Sequence, residues 1–154
     1  MAYLAGCLDC DGSFSIYRNT TVMRTPNAKA KSPQHTPRII FKQVKPEIVD
    51  LLYQTFGGVK NFEKSHNPKH KDIYGWAASH KTAAACIVNV LPYLLIKKEQ
   101  AKLLLELSNR QRKCHYTPRG RVQKLTDEEL IERDKLHAAV KRLNDVRIHQ
   151  PLLI

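Results

Sequence analysis

Two carboxylates, Asp9 and Asp11, close the apolar run Ala2-Tyr3-Leu4-Ala5-Gly6-Cys7-Leu8, and Gly12 follows at once. The run from Met1 to Asp9 reads as a short helix that ends near Asp11–Gly12, where glycine permits a left-handed cap. Asp11 then lies at a helix C-terminus, in the negative potential of the last carbonyls. A carboxylate so placed is stabilised by a cation, and carboxylate and carbonyl oxygens are hard ligands suited to Mg2+. Ala2, Gly6 and Cys10 recur four apart, so one helix face is small enough for a second helix to approach closely. Two such helices in parallel would bring two Asp11 carboxylates together as a divalent-cation site. Cys7 and Cys10 form C-x2-C, but no second pair follows and no strand precedes it. With Cys86 and Cys114 they read as small, buried, reduced hydrophobes rather than zinc or redox ligands.

The charge balance names a partner class. In 154 residues, Lys and Arg number 26 against 14 Asp and Glu, a net charge of +12 with a sequence pI near 9.7. Such an excess suits a polyanion, nucleic acid or an anionic membrane surface. No apolar run reaches the ~18 residues a membrane-spanning helix needs, and residues 1–12 lack a secretory signal pattern. Hydrophobic residues at 42% exclude a disordered or fibrous chain. The base is unevenly spread. Residues 13–46 hold Arg18, Arg24, Lys29, Lys31, Arg38, Lys42 and Lys45 and no acid, and a second acid-free stretch runs from Arg110 to Lys124. Stretches of one sign are candidate phosphate contacts.

The elements that must position these residues follow from periodicity. Ser13 to Val22 alternates as a strand, with Phe14 and Ile16 on one face and Ser13, Ser15, Tyr17 and Asn19 on the other. Residues 23–37, with Pro26, Pro33 and Pro37, read as a long loop. Arg38 to Val44 is a second strand, Ile39 and Phe41 inward, Arg38, Ile40 and Lys42 outward. Pro46 opens a helix that Gly57-Gly58 closes. Val59–Ser65 and Asp72–Ser79 form a strand pair, with Trp76 and Tyr74 in one phase, toward the core. Ser79 caps a helix through Leu91, which Pro92 ends or kinks. Leu95–Leu107 is another helix, 109–125 a basic linker, and Thr126-Asp-Glu-Glu129 a capping box for a last helix through about Asn144. The order α-β-β-α-β-β-α-α predicts an α+β domain: a four-stranded antiparallel sheet with helices on one face and the other face free.

Leu4, Ala5, Gly6, Asp9, Asp11 and Gly12 stand where they spell the motif of the LAGLIDADG homing endonucleases, which the segment resembles. Cys7 and Leu8 keep apolar character; Cys10 departs from the usual Ala or Gly. With the element order, the resemblance covers residues 1–108 as an endonuclease-like core of α-β-β-α-β-β-α topology. Residues 109–154 are then a basic linker and C-terminal helix packed on the core, in a single domain overall. One copy of the motif implies the single-motif branch, which works as a homodimer through the motif helix, with Ala2, Leu4, Ala5, Gly6, Leu8 and Asp9 at the interface. It also implies double-stranded DNA as partner and a long near-palindromic site. Metal-assisted hydrolysis would leave short 3′ overhangs. The resemblance places Asp11 as a catalytic metal ligand, joined by the Cys10 backbone carbonyl. Gln43, with Lys45 as runner-up, would position the attacking water. Lys97, a better match than Lys98, would stabilise developing phosphate charge. Mg2+ is the implied cofactor, with Mn2+ able to substitute and Ca2+ able to bind without supporting cleavage. The family's members usually carry a longer lead before the motif, so residues ahead of Met1 are expected to be missing or dispensable.

Base reading would fall to Tyr17, Asn19, Arg38 and Lys42 on the outward strand face, extended by Arg24, Lys29, Lys31 and Lys45. Lys60 and Lys64 are expected phosphate contacts. Asp9 fits capping or packing near the helix end better than metal binding. The seven histidines form no ligand set and read as surface or phosphate-adjacent. The expected location is intracellular, in a prokaryotic cytoplasm or nucleoid or an organelle matrix, away from membranes. The alternative is a relative of the same fold that binds DNA or RNA without cutting, such as an RNA maturase or regulator.

Overall fold

The computed structural model describes residues 1–19, 33–67, 69–113 and 125–145. Helix α1 (Ala2–Asp11) leads into β1 (Gly12–Asn19) and β2 (Gln34–Gln43); α2 (Glu47–Phe56), β3 (Val59–Glu63) and β4 (Ile73–Ser79) follow. Helix α3 (His80–Val90), a 3-10 turn (Leu91–Tyr93), α4 (Lys98–Lys113) and α5 (Asp127–Asn144) complete the order. The sheet is antiparallel, in the order β1-β2-β4-β3. Phe14, Ile16, Ile39, Phe41, Trp76 and Ala78 are buried with Leu4, Leu8, Leu52, Ile87, Leu104 and Leu107 in one core. Their alternation leaves the other sheet face open, which bears out the predicted α+β layering. Trp76 lies in the core as expected, its indole N–H donating to the Gly57 carbonyl at 2.8 Å.

Several boundaries differ from the sequence reading, each for a local reason. β2 begins at Gln34, so Pro37 lies inside a strand rather than a loop. Pro37 pairs only with Ile16 of β1, because β4 joins β2 from Arg38 onward. Without a neighbour on its second side, a missing N–H costs the ladder little. Gly12 is not left-handed but extended, at φ −75° and ψ 151°. It is a close-approach glycine: a Cβ there would stand 2.5 Å from the Leu8 carbonyl oxygen. Positive φ falls instead at Gly57 and Gly58, at 75° and 98°, where α2 turns into β3, and at His80, at 50°, where β4 turns into α3. Helix α4 starts at Lys98, not Leu95, and runs through residue 108 to Lys113. The core's edge and the start of the basic linker therefore fall within a helix.

Helix α5 is docked on the sheet by a polar cluster. Thr126 caps it as expected, accepting from the Glu129 N–H at 3.3 Å. Asp134 then receives Arg18 Nε at 2.6 Å and His35 Nε2 at 2.7 Å. Asn144 donates to the Phe14 carbonyl at 2.8 Å, and Gln111 of α4 donates to the His35 carbonyl. His35 is buried, contrary to the surface position expected of the histidines. Its alternation with Pro37 and Ile39 turns it inward, and Asp134, far along the chain, supplies the polar partner.

The Arg18 hydrogen bond foremost, with that of His35, holds the Asp134 carboxyl below the usual carboxylate range, against an opposing effect of burial. Burial, then His35, pushes His137 below the usual imidazole value. A group whose folded pKa is lowered stabilises the fold above its unfolded pKa and loses that contribution as pH falls through the lowered value. The urea midpoint is expected to drop as pH falls below ~6.5, the ordinary imidazole value, and His137→Gln to flatten that part of the profile. An unchanged profile in the variant would place the transition elsewhere.

Candidate active site at the end of the first helix

The last turn of α1 meets the end of β2 and the loop before α4. Gln43 Nε2 donates to Asp11 Oδ2 at 3.1 Å. Lys97 Nζ donates to the carbonyls of Gly12 at 2.6 Å, Leu8 at 3.1 Å and Cys10 at 3.2 Å. Asp11, Gln43 and Lys97 therefore converge, although the chain separates them widely. Asp11 is exposed, and the Cys10 carbonyl belongs to the cage around Lys97. Burial lowers the Lys97 pKa, while Asp9, Cys10 and Asp11 pull it the other way. Lys45 is exposed in the bend after β2, past the strand end that Gln43 holds.

Asp9 builds the site rather than joining it. It is 7% exposed, and its two oxygens accept the Leu95 N–H at 2.7 Å and the Lys97 N–H at 2.9 Å. This clamp keeps 95–97 out of helix, which is why α4 starts late. It sets the backbone from which the Lys97 side chain reaches the end of α1. Asp9 thus caps and packs near the helix end, as expected of it, and its carboxylate is turned to 95–97 rather than outward.

The rest of the expected interface divides by helix phase. Leu4, Ala5 and Leu8 are buried in this chain's own core and cannot face a second helix. Ala2, Tyr3, Gly6 and Cys10 are exposed, so the outward stripe is the four-residue repeat. Cys10 is thus not the buried hydrophobe expected, whereas Cys86 is, its thiol pushed up to about 12 by burial. Leu95 at 86% and Ile96 at 72% exposure are apolar surface that the sequence reading placed in a helix.

The open sheet face carries Tyr17, Arg38, Ile40, Lys42, Asn61 and Ser79 along one groove. Tyr17, Arg38 and Lys42 have the expected outward phase, while Asn19, at the end of β1, is half-buried. Lys60 does not share that face. It pairs across the sheet with buried Trp76, on the helix-covered side, and its ammonium meets Asp50 of α2 at 2.8 Å above the Tyr53 ring. Strand alternation alone dictates this, once Trp76 fixes the phase. Lys64 is exposed just past β3. Arg24, Lys29 and Lys31, and with them Cys114, lie outside the described residues. Asn61 and Glu63 on the open face were missed; their alternation with Lys60 and Phe62 was the available signal.

The donor set suits a hard cation. An exposed carboxylate stands beside carbonyls that already surround one positive charge, the Lys97 ammonium. Asp11 and the Cys10 carbonyl would hold the ion. Among the described residues no cluster of three or more His, Cys, Asp or Glu gathers to bind a metal within one chain. No described helix is long and apolar enough to cross a membrane.

This architecture is that of the LAGLIDADG homing endonucleases: the chain has their fold. The homing endonuclease I-CvuI, in complex with DNA in the presence of Mg, superposes with a TM-score of 0.68 at 20% identity, covering 94% of this chain and 81% of that one. I-CvuI has also been solved with its target in the presence of Ca. The archaeal intron-encoded I-Vdi141I, complexed with DNA, gives 0.69 at 17% identity over 93% and 82% of the two chains. The meganuclease I-SmaMI bound to uncleavable DNA gives 0.64 at 18% identity over 90% of this chain and 43% of that one. No family model and no curated protein matches the sequence.

Proposed function

We propose that this chain is a site-specific double-strand DNA endonuclease that works as a homodimer on a long, near-palindromic site and leaves short 3′ overhangs. The observation that carries the reading is the convergence of Asp11, Gln43 and Lys97 at one helix end beside an open, basic sheet face. A divalent ion there would polarise the scissile phosphate and lower the pKa of a water. Gln43, fixed by Asp11, orients a water through its amide. Lys97 places a positive charge where phosphate charge develops. Tyr17, Arg38 and Lys42 face the bases, and phosphate contacts outside the sheet hold the register.

The dimer reading rests on incompleteness. One chain offers one such carboxylate, and two chains paired through Ala2, Gly6 and Cys10 would offer two. Exposed Tyr3, Leu95 and Ile96 add apolar surface of the kind buried at dimer interfaces. Known structures of this fold in complex with DNA support the partner class. An intracellular location follows from that substrate.

The test is cleavage of a randomised duplex library in Mg2+, with the ends sequenced and a chelated control. Metal-dependent cuts at long sites with two-fold symmetry and 3′ overhangs are expected. Enrichment of a sequence by binding, without cuts at any divalent ion tried, would replace the endonuclease with a reader that does not cut.

A further inference from the structure

The open sheet face holds one carboxylate among its described residues, and that carboxylate is built in. Glu63 Oε1 receives Lys42 Nζ at 2.6 Å and Asn61 Nδ2 at 3.3 Å. Both donors take the same oxygen, and Oε2 accepts no hydrogen bond among the described residues. The three side chains span from β2 to β3 over Gly75 of β4, which pairs with Lys42 on one side and Asn61 on the other. Gly75 makes this possible: a Cβ there would collide with the Asn61 amide oxygen. Glu63 and Lys42 are each about half exposed, at 48% and 47%, so their free valences face the groove.

Lys42 offsets the charge of this anion and occupies one of its oxygens, so the other is left to an incoming donor. We propose that Glu63, held by Lys42 and Asn61 over Gly75, is a specificity-determining residue that selects a C·G pair in the major groove. Its free oxygen accepts from the cytosine N4 amine, and the remaining N–H groups of Lys42 donate to guanine O6 and N7 of the same pair. Acceptor beside donor matches a base pair that presents donor beside acceptor. The inference rests on the duplex-DNA reading above.

The experiment selects bound sequences from randomised duplexes with Asp11→Asn, which removes cutting, alone and combined with Glu63→Gln or Gly75→Ala. Asp11→Asn alone is expected to show a C·G preference of about tenfold or more at one position per half-site. Glu63→Gln should move that position toward adenine, whose N6 and N7 an amide matches. Gly75→Ala, by displacing Asn61, should weaken the same position and leave the others unchanged. Identical selected sequences with and without Glu63→Gln would overturn the assignment while leaving DNA recognition standing. Selection of no sequence by Asp11→Asn alone would overturn the DNA reading, and this inference with it.

Discussion

Asp11→Asn is expected to lower strand cleavage by at least about 10³-fold while leaving duplex binding within a few fold. The asparagine amide is nearly isosteric and can still meet Gln43, and Asp11 is exposed, so the fold has no reason to change. What disappears is negative charge at a point where the α1 carbonyls already make a cation welcome. Single-turnover cleavage of the selected site, beside a binding isotherm for the same duplex, separates the two effects. Equal loss of binding and cutting would mean that Asp11 supports the structure instead. A residual rate close to that of the unsubstituted chain would remove Asp11 from the chemistry.

Lys97→Met should have the next largest effect, in two directions. Cleavage is expected to fall about 10²- to 10³-fold, as for loss of one fixed donor to developing charge. Divalent binding is expected to tighten, by about tenfold, because the ammonium shares the Cys10 carbonyl with any incoming ion and repels it at close range. Mn2+ titration followed by electron paramagnetic resonance reads the second effect without any turnover. Weaker Mn2+ binding in the variant would show that the lysine helps to build the cation site rather than competing for it. Methionine keeps most of the stem length, so the packing of 95–97 under the Asp9 clamp should survive.

The candidate site is legible in short windows of sequence: Asp11 closes the motif, and Gln43 and Lys97 lie in segments that resemble the family's, one at a strand end and one next to a helix start. What escaped is set by partners distant in the chain. His35 reads as a loop histidine until Asp134 is placed beside it, and nothing near residue 35 announces a helix almost a hundred positions later. Capping or packing near the helix end is legible at Asp9, but the partners it caps, the N–H groups of Leu95 and Lys97, are not. Leu95 and Ile96 fit helical spacing, and only that clamp denies them a helix. Lys60 reads from its charge as a phosphate contact, and alternation with the open-face Asn61 puts it on the helix-covered side, against Asp50. The faces of α1 were likewise ambiguous, since small and large apolar residues alternate around it and either side could have been the buried one.

The length of the β1–β2 ladder has its own consequence. Gly12, beside the candidate site, pairs with Phe41, and Asn19 pairs with Gln34 at the far end. Seven residue steps at about 3.3 Å span roughly 23 Å, the rise of about seven base pairs of duplex at ~3.4 Å each. On the proposed reading the two strands form a ruler laid outward from the candidate site, and α5 fastens its far end through Arg18 and His35. The side chains on the open face stand clear of the core. On that reading they can be exchanged without disturbing the origin, so the chain could acquire a new address while keeping the same blade.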